Sequence, residues 1–391
     1  MSCGNGTGST ATAGSTDLSA PPRGTRPRNR RALIVTAAAE LFARRGYPHV
    51  AMGDVAEAVA IGPSALYRHF RGKQELLAAV VEDALTALAV TDFAELATGA
   101  LDRRDVGVLW QRESRHLEPA ERHRVGEPLR RLAGQLAGEL RDRRRELTAD
   151  QAGLLAWAVL AVLVSVSFQG VDLPRPAYDE LMTSLATSVA ATRLPELGKR
   201  TDVPVAEPAN RRELLLTTAT RLFAERGFHS VAIEEVGAAA GIAGPSVYHH
   251  FGSKAELLMT ALRTGADALG EGMRTASLPT LLRSYAEYSL AHHDVVDLLI
   301  TEVGLLPEPE RHELRRTQRE YVEAWVRLLL DVHPDLGAGP ARVRVQAALT
   351  VVNDVARTPH LRTLPGVADA LRVVGSALLG LSGLSTSGQT L

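Results

Sequence analysis

Residues 61–73 read IGPSALYRHFRGK, and residues 242–254 read IAGPSVYHHFGSK. The two stretches lie 181 positions apart and repeat Ile, Tyr, His, Phe and Lys at the same offsets. Extended outward without a gap, Arg31–Leu77 and Arg212–Leu258 are identical at 21 of 47 positions, among them Phe42/Phe223, Gly46/Gly227 and Val55/Val236. Identity of that extent at one offset marks an internal duplication. The copies continue further: Glu121-Arg122-His123 returns as Glu310-Arg311-His312, now 189 positions apart, so the second copy holds about eight more residues in between.

The local pattern inside each copy is helical. Leu33, Ile34, Ala37, Ala38, Leu41 and Phe42 recur at helical spacing over 31–45, and Gly46 closes that helix as a C-cap. A second short helix is expected over 54–59. Pro63 opens a third, since proline suits the first helical turn; it carries Leu66, Tyr67 and Phe70 and stops at Arg71-Gly72. A fourth starts at Lys73 and runs on through Val80. Three short helices and a longer one, with a tight turn before the third, form the pattern of a helix-turn-helix. Each copy then ends in two apolar helices, near 150–170 and 176–193 in the first and 341–357 and 366–383 in the second. No alternating strand pattern appears, so the expected fold class is all-α, in two tandem units.

The expected division is a disordered tail over 1–22, a first helix-turn-helix domain over 23–77, a first helical domain over 78–194, a Pro-rich linker over 195–209, a second helix-turn-helix domain over 210–258 and a second helical domain over 259–391. With one cysteine, Cys3, in the tail, no disulfide framework and no Cys-based metal site is available. Aromatic residues are 4% of the 391, so the core is aliphatic. No apolar signal sequence opens the chain, which points to the cytoplasm. The uncharged stretch 152–168 is at the lower limit for a membrane span, and is read as a helix buried among other helices rather than in lipid. No phosphate loop, paired-carboxylate signature or nucleophile motif is present, so neither an enzyme nor a cofactor site is expected. His292-His293-Asp294 is not read as a metal site, because neighbouring helical residues point about 100° apart.

A short third helix with polar residues facing outward fits the major groove of a DNA duplex. The candidate base-facing residues are Pro63, Ser64, Ala65, Arg68 and His69 in the first copy and Gly244, Pro245, Ser246, His249 and His250 in the second. Tyr67 and Tyr248 offer hydroxyls to phosphate, and Lys73 and Lys254 stand at helix starts, where an anion is already favoured. The first copy is preceded by Arg23, Arg26, Arg28, Arg30 and Arg31, with no acidic residue between Asp17 and Glu40. Residues 23–77 hold ten basic and four acidic side chains, whereas 210–258 hold five of each. Formal net charge over the whole chain is −1, so any affinity for a polyanion is local and stronger at the first copy.

With the residues LFARRGY…AIGPSALYRHFRGKQELL and LFAERGF…AGIAGPSVYHHFGSKAELL in place, each copy resembles the DNA-binding domain of TetR-type transcriptional regulators. The signature covers about a quarter of the chain. The resemblance implies a ligand-responsive repressor of double-stranded DNA. It also implies that each larger domain binds a small molecule, and that its last two helices build a dimerising four-helix bundle. Ligand binding in that family changes the spacing of two DNA-reading helices. Two departures stand out. Ala51 and Ala232, then Gly62 and Ala243, occupy positions where the family places Thr or Ser as helix caps and phosphate ligands. And one chain carries both reading heads, so the bundle is expected to close within it as a pseudo-dimer; the alternative is two chains pairing through like halves. Because the heads differ, the expected operator is an imperfect palindrome. Trp110, His116, Tyr285, Tyr288 and His292 are the candidate pocket residues, for an effector expected to be apolar. A second reading is a sensing or protein-binding module in which one or both heads no longer touch DNA.

Overall fold

The computed structural model describes residues 29–86, 92–197, 208–271, 273 and 277–381. The expected tail over 1–22, Arg23, Arg26 and Arg28, and most of the expected linker lie outside the described residues. The first half is built from α1 (Arg30–Arg45), α2 (Met52–Ala58), α3 (Pro63–Leu66), α4 (Lys73–Thr86), α5 (Phe93–Asp102) and α6 (Val106–Val108), which runs into a π-helical turn, Leu109–Glu113. Then follow α7 (Pro119–Val125), α8 (Glu127–Arg143), α9 (Ala149–Val164) and α10 (Ala177–Ala191). The second half restates the series with α11 (Arg211–Arg226), α12 (Ile233–Ala239), α13 (Gly244–His250), α14 (Lys254–Glu271), α15 (Leu278–Ala291), α16 (His293–Thr301), α17 (Glu308–Val332), α18 (Ala338–Arg357), α19 (Pro359–Arg362) and α20 (Val367–Leu378). No strand occurs among the described residues.

Within each head the apolar stripe read from sequence is the buried face. α1 buries Ile34, Ala38, Leu41 and Phe42, and α11 buries Leu215, Ala219, Leu222 and Phe223. Both helices end at a glycine with positive φ, 83° at Gly46 and 80° at Gly227, where a side chain would be strained. The missing Thr or Ser caps are half replaced. The Ala51 amide donates to Asp54 and the Ala232 amide to Glu235, each at 2.7 Å, so a carboxylate three residues on takes one of the orphan donors.

The turn into α3 holds Ala60 at φ 53°, whereas its counterpart Gly241 sits at 66°. A left-handed alanine costs about 1–2 kcal/mol relative to glycine's freedom there, offset in part by glycine's looser unfolded chain. Ala60→Gly is therefore expected to stabilise the first head by roughly 1 kcal/mol, read from the midpoint of chemical denaturation; a destabilised variant would contradict the strain.

The two halves meet in a four-helix bundle formed inside one chain: α9 lies against α18, α10 against α9 and α20, and α20 against α18. Among the described residues, Ala149–Phe168 is the one helical stretch long and apolar enough to cross a membrane, but 67% of its apolar window is buried within the protein. It is apolar all round because α8, α10 and α18 cover it on several sides. Leu154, Leu155 and Val159 of α9 share one continuous core with Val351, Val352 and Leu371 of the second half. Each such fully buried aliphatic side chain contributes about 1.5–3 kcal/mol of transfer free energy. The first head belongs to this core, through Phe42, Leu66 and Phe70. The second head has its own cluster, Phe223, Val247 and Phe251 with Leu298 of α16 and Leu314 of α17. In both halves a single helix, α4 or α14, runs on from the residues of the head into the rest of that half.

Candidate nucleic-acid interface and effector cavities

The third helix of each head buries one edge and exposes the other. Leu66 and Phe70, then Val247 and Phe251, sit four residues apart and anchor α3 and α13 to the head core. Pro63, Ser64, Tyr67 and Arg68 are exposed, and Ala65 and His69 half-buried; Tyr248 and His249 are exposed, and Ser246 and His250 half-buried. Gly244 and Pro245 form the first turn of α13. Tyr67 and Tyr248 are 52% and 50% exposed and, among the described residues, are the large apolar side chains most open to solvent, at matching positions of the two copies. Next to each reading helix stands an arginine: the Arg31 guanidinium lies 4.8 Å over the Phe70 ring, and that of Arg212 lies 4.5 Å over Phe251. Arg31 is exposed and Arg30 half-buried at the start of α1.

The heads differ where charge matters. The Tyr248 hydroxyl donates to the Glu234 carboxylate at 3.2 Å. The residue equivalent to Glu234 in the first head is Gly53, so Tyr67 has no matching carboxylate. The two lysines stand at the starts of α4 and α14, as expected, with their amines turned towards the head's own turn. Lys254 donates to the carbonyls of Phe228 and Val231, both at 2.7 Å, and lies 4.3 Å over the Phe228 ring. Lys73 lies 4.0 Å over the Tyr47 ring. Burial pushes both amines below the usual lysine range. Their ammonium groups brace the turn after the first helix to the start of the fourth, because an aromatic ring and free turn carbonyls lie closer than solvent.

The heads are tied to the bodies by a pair of carboxylates that the sequence reading did not single out. Glu113 accepts the Tyr47 amide at 2.7 Å, and Glu302 accepts the Phe228 amide at 3.1 Å. Burial raises both carboxyls above the ordinary range. The 189-residue offset would have found them: Glu113/Glu302 and Leu117/Leu306 repeat at that spacing. The π-helical turn also reaches into the other half. Arg115, which follows it, pairs with Glu302 at 2.5 Å, both being almost fully buried, and donates to the Phe223 carbonyl of α11 at 3.3 Å. Gln111 donates to Asp354 at 2.7 Å, and its carbonyl accepts from Arg357 at 3.2 Å, while Arg357 pairs with Asp297 at 2.6 Å. Burial pushes the Asp354 carboxyl up to about 6. Segment 111–115 thus touches the first head, the second head and the second body. π-Helical turns of this kind are frequent at functional sites.

Two cavities flank this segment. A cleft of about 1160 Å³ opens between the halves, lined by Trp110, His116 and Arg122 of the first and by His229, Asp297 and Arg357 of the second. The His116 ring stacks on Tyr47 at 5.2 Å, and burial pushes its imidazole down to about 4, so it is neutral. A second cavity of about 370 Å³ lies between α14, α15, α16, α17 and α18 of the second half and is closed on one side by Gln111, Arg112 and Phe168 of the first. Tyr285 lines it and donates to Asn353 at 2.8 Å. Of the expected pocket residues, Trp110 and His116 therefore line the cleft and Tyr285 the inner cavity. Tyr288 and His292 line neither: their rings meet at a tilt with centroids 4.5 Å apart, and the Tyr288 hydroxyl lies towards Gly265 of α14. Among the described residues no group of three His, Cys, Asp or Glu side chains converges as a metal site would.

Comparison with known proteins matches residues 34–80 and 215–260, one stretch in each half, to the family described as bacterial regulatory proteins, tetR family. The HTH-type transcriptional repressor KstR2 of Rhodococcus jostii is 32% identical over 158 residues, covering 38% of this chain and 77% of that protein. The HTH-type transcriptional activator FasR of Mycolicibacterium smegmatis is 34% identical over 108 residues, 26% of this chain and about half (49%) of that protein. A solved structure of a TetR-family transcriptional regulator from Bordetella parapertussis aligns with 25% identity and a TM-score of 0.39, covering 44% of this chain and 95% of its own.

Proposed function

The chain belongs to the tetR family of bacterial regulatory proteins, and from that premise we propose that it is an effector-controlled, DNA-binding transcriptional repressor of the cytoplasm that offers both reading heads from one polypeptide. The observation carrying this reading is the matched pair of short helices α3 and α13, each anchored by two buried side chains and each exposing a tyrosine. Each helix enters a major groove with its N-terminal residues towards base edges, Pro63, Ser64 and Ala65 in one and Gly244, Pro245 and Ser246 in the other, followed by Arg68 and His69 or His249 and His250. Tyr67 and Tyr248, with Arg31 and Arg212 beside them, meet the backbone. The internal bundle fixes the two heads to one frame, and an apolar effector bound in a helical body changes their spacing.

The test is selection of duplexes from a random pool by the intact chain, followed by a salt titration on the selected sequence. Two unlike half-sites in an imperfect palindrome, with log affinity falling steeply against log salt, are expected. No enrichment and no salt slope would favour the alternative, a sensing or protein-binding module whose heads no longer touch DNA.

One observation favours a milder form of that alternative, confined to the second head. Glu234 holds the Tyr248 hydroxyl and places a carboxylate where a phosphate would lie. Glu234→Gln is expected to tighten binding of the selected duplex by roughly 3- to 10-fold, since a like charge leaves the contact face. Unchanged affinity in a filter-binding titration would mean that the second head stands off the DNA.

A further inference from the structure

The inner cavity of the second half has an apolar floor of Leu269, Val296, Leu299, Val322 and Leu349. Its wall carries Arg112, Arg315, Arg319 and Arg342 against a single carboxylate, Asp354. That carboxylate is already engaged by Gln111, and Arg342 pairs with Glu323. Among the described residues, Arg112, Arg315 and Arg319 form no ion pair with any carboxylate. Arg315 and Arg319 are exposed and Arg112 is half-buried; partial burial and the neighbouring guanidinium groups of Arg112, Arg311 and Arg319 press Arg315 below the usual arginine range. Nε of Arg112 is buried without a hydrogen-bond partner. Buried donors are nearly always satisfied, so the unpartnered Nε of Arg112 calls for an acceptor that the described residues do not supply. A volume of about 370 Å³ falls in the range of small-molecule sites.

We propose that this cavity takes an amphiphile, an apolar chain that ends in a carboxylate or phosphate, and that Arg112, Arg315 and Arg319 hold the anionic end. The inference deepens the effector-controlled reading given above and rests on it for its regulatory part. Arg315 and Arg319 come from α17, but Arg112 comes from the π-helical turn of the first half. The next residue, Glu113, holds the Tyr47 amide of the first head. An occupant of the second body therefore pulls on the segment that positions the first head, and releases DNA by shifting it.

The experiment is isothermal titration of the full chain with decanoate, decyl phosphate and decanol, without DNA. At least one anion is expected to bind tenfold or more tightly than decanol, and the comparison of the two separates a carboxylate from a phosphate ligand. Arg112→Gln is expected to bring the anion down to the level of decanol while leaving decanol binding in place. Arg319→Gln, at an exposed position, should do the same in part without any effect on folding. Equal binding of decanol and both anions, or anion binding unchanged in both variants, overturns the proposal. The preferred anion is then added to the complex with the selected duplex. Binding without release of DNA would leave the site standing and count against the regulator reading alone.

Discussion

Replacing Arg115 with alanine lowers the unfolding free energy by about 3–5 kcal/mol, the cost of leaving a buried charge without its partner. Glu302 is nearly inaccessible, and Arg115 supplies its counter-charge at 2.5 Å; the Phe228 amide is its other donor. Burial already raises the Glu302 carboxyl, so without the guanidinium it moves further up and takes a proton on folding. A carboxyl raised in the folded state destabilises above its unfolded pKa and is relieved as protons are added. The deficit is therefore largest near about pH 8 and shrinks as the pH falls towards the ordinary carboxylate range. Denaturant titration followed by circular dichroism measures it. Arg115→Met combined with Glu302→Leu should recover most of the loss, because a well-packed apolar pair needs no desolvation of charge. A loss under about 1 kcal/mol in the alanine variant would show that the pair is not a structural tie between the halves.

The second large effect concerns DNA. Reversing Arg28, Arg30 and Arg31 to glutamate is expected to weaken binding of the selected duplex by roughly 100-fold or more and to lower the salt slope by about three units. Reversing Arg211 and Arg212 should cost far less. The first head brings ten basic side chains against four acidic ones, while the second brings five of each and sets Glu234 beside its exposed tyrosine. Fluorescence anisotropy across a salt series gives both quantities. Equal losses from the two sets would refute the inequality of the heads.

What the sequence made legible was whatever repeats or has a local period. The duplication around Tyr67 and Tyr248, the glycine stops at 46 and 227 and the four bundle helices are written in short-range pattern and fall close to where it puts them, whereas α3 ends at Leu66 rather than running to Phe70. Side-chain direction was less legible. Lys254 stands at a helix start, as expected, yet its amine turns to two carbonyls because a turn from 23 to 26 residues earlier packs beneath it. Tyr288 and His292 fit the spacing of pocket residues and spend their rings on each other. The cross-half network was hidden for a different reason. Gln111 and Asp354 are 243 residues apart, and no periodicity within either copy connects them. The difference between Gly53 and Glu234 was plain in the alignment of the copies, but only geometry shows the carboxylate on the tyrosine hydroxyl.

The bundle of α9, α10, α18 and α20 closes within a single chain. A repressor assembled from two separate chains loses operator occupancy with the square of its copy number once it falls apart at low abundance. Under the proposed reading, a chain that carries both heads loses occupancy only in direct proportion to its copy number. On that reading the same closure lets each arm evolve alone, since a substitution in α3 or α13 changes one head, where in a symmetric pair of chains it would change both.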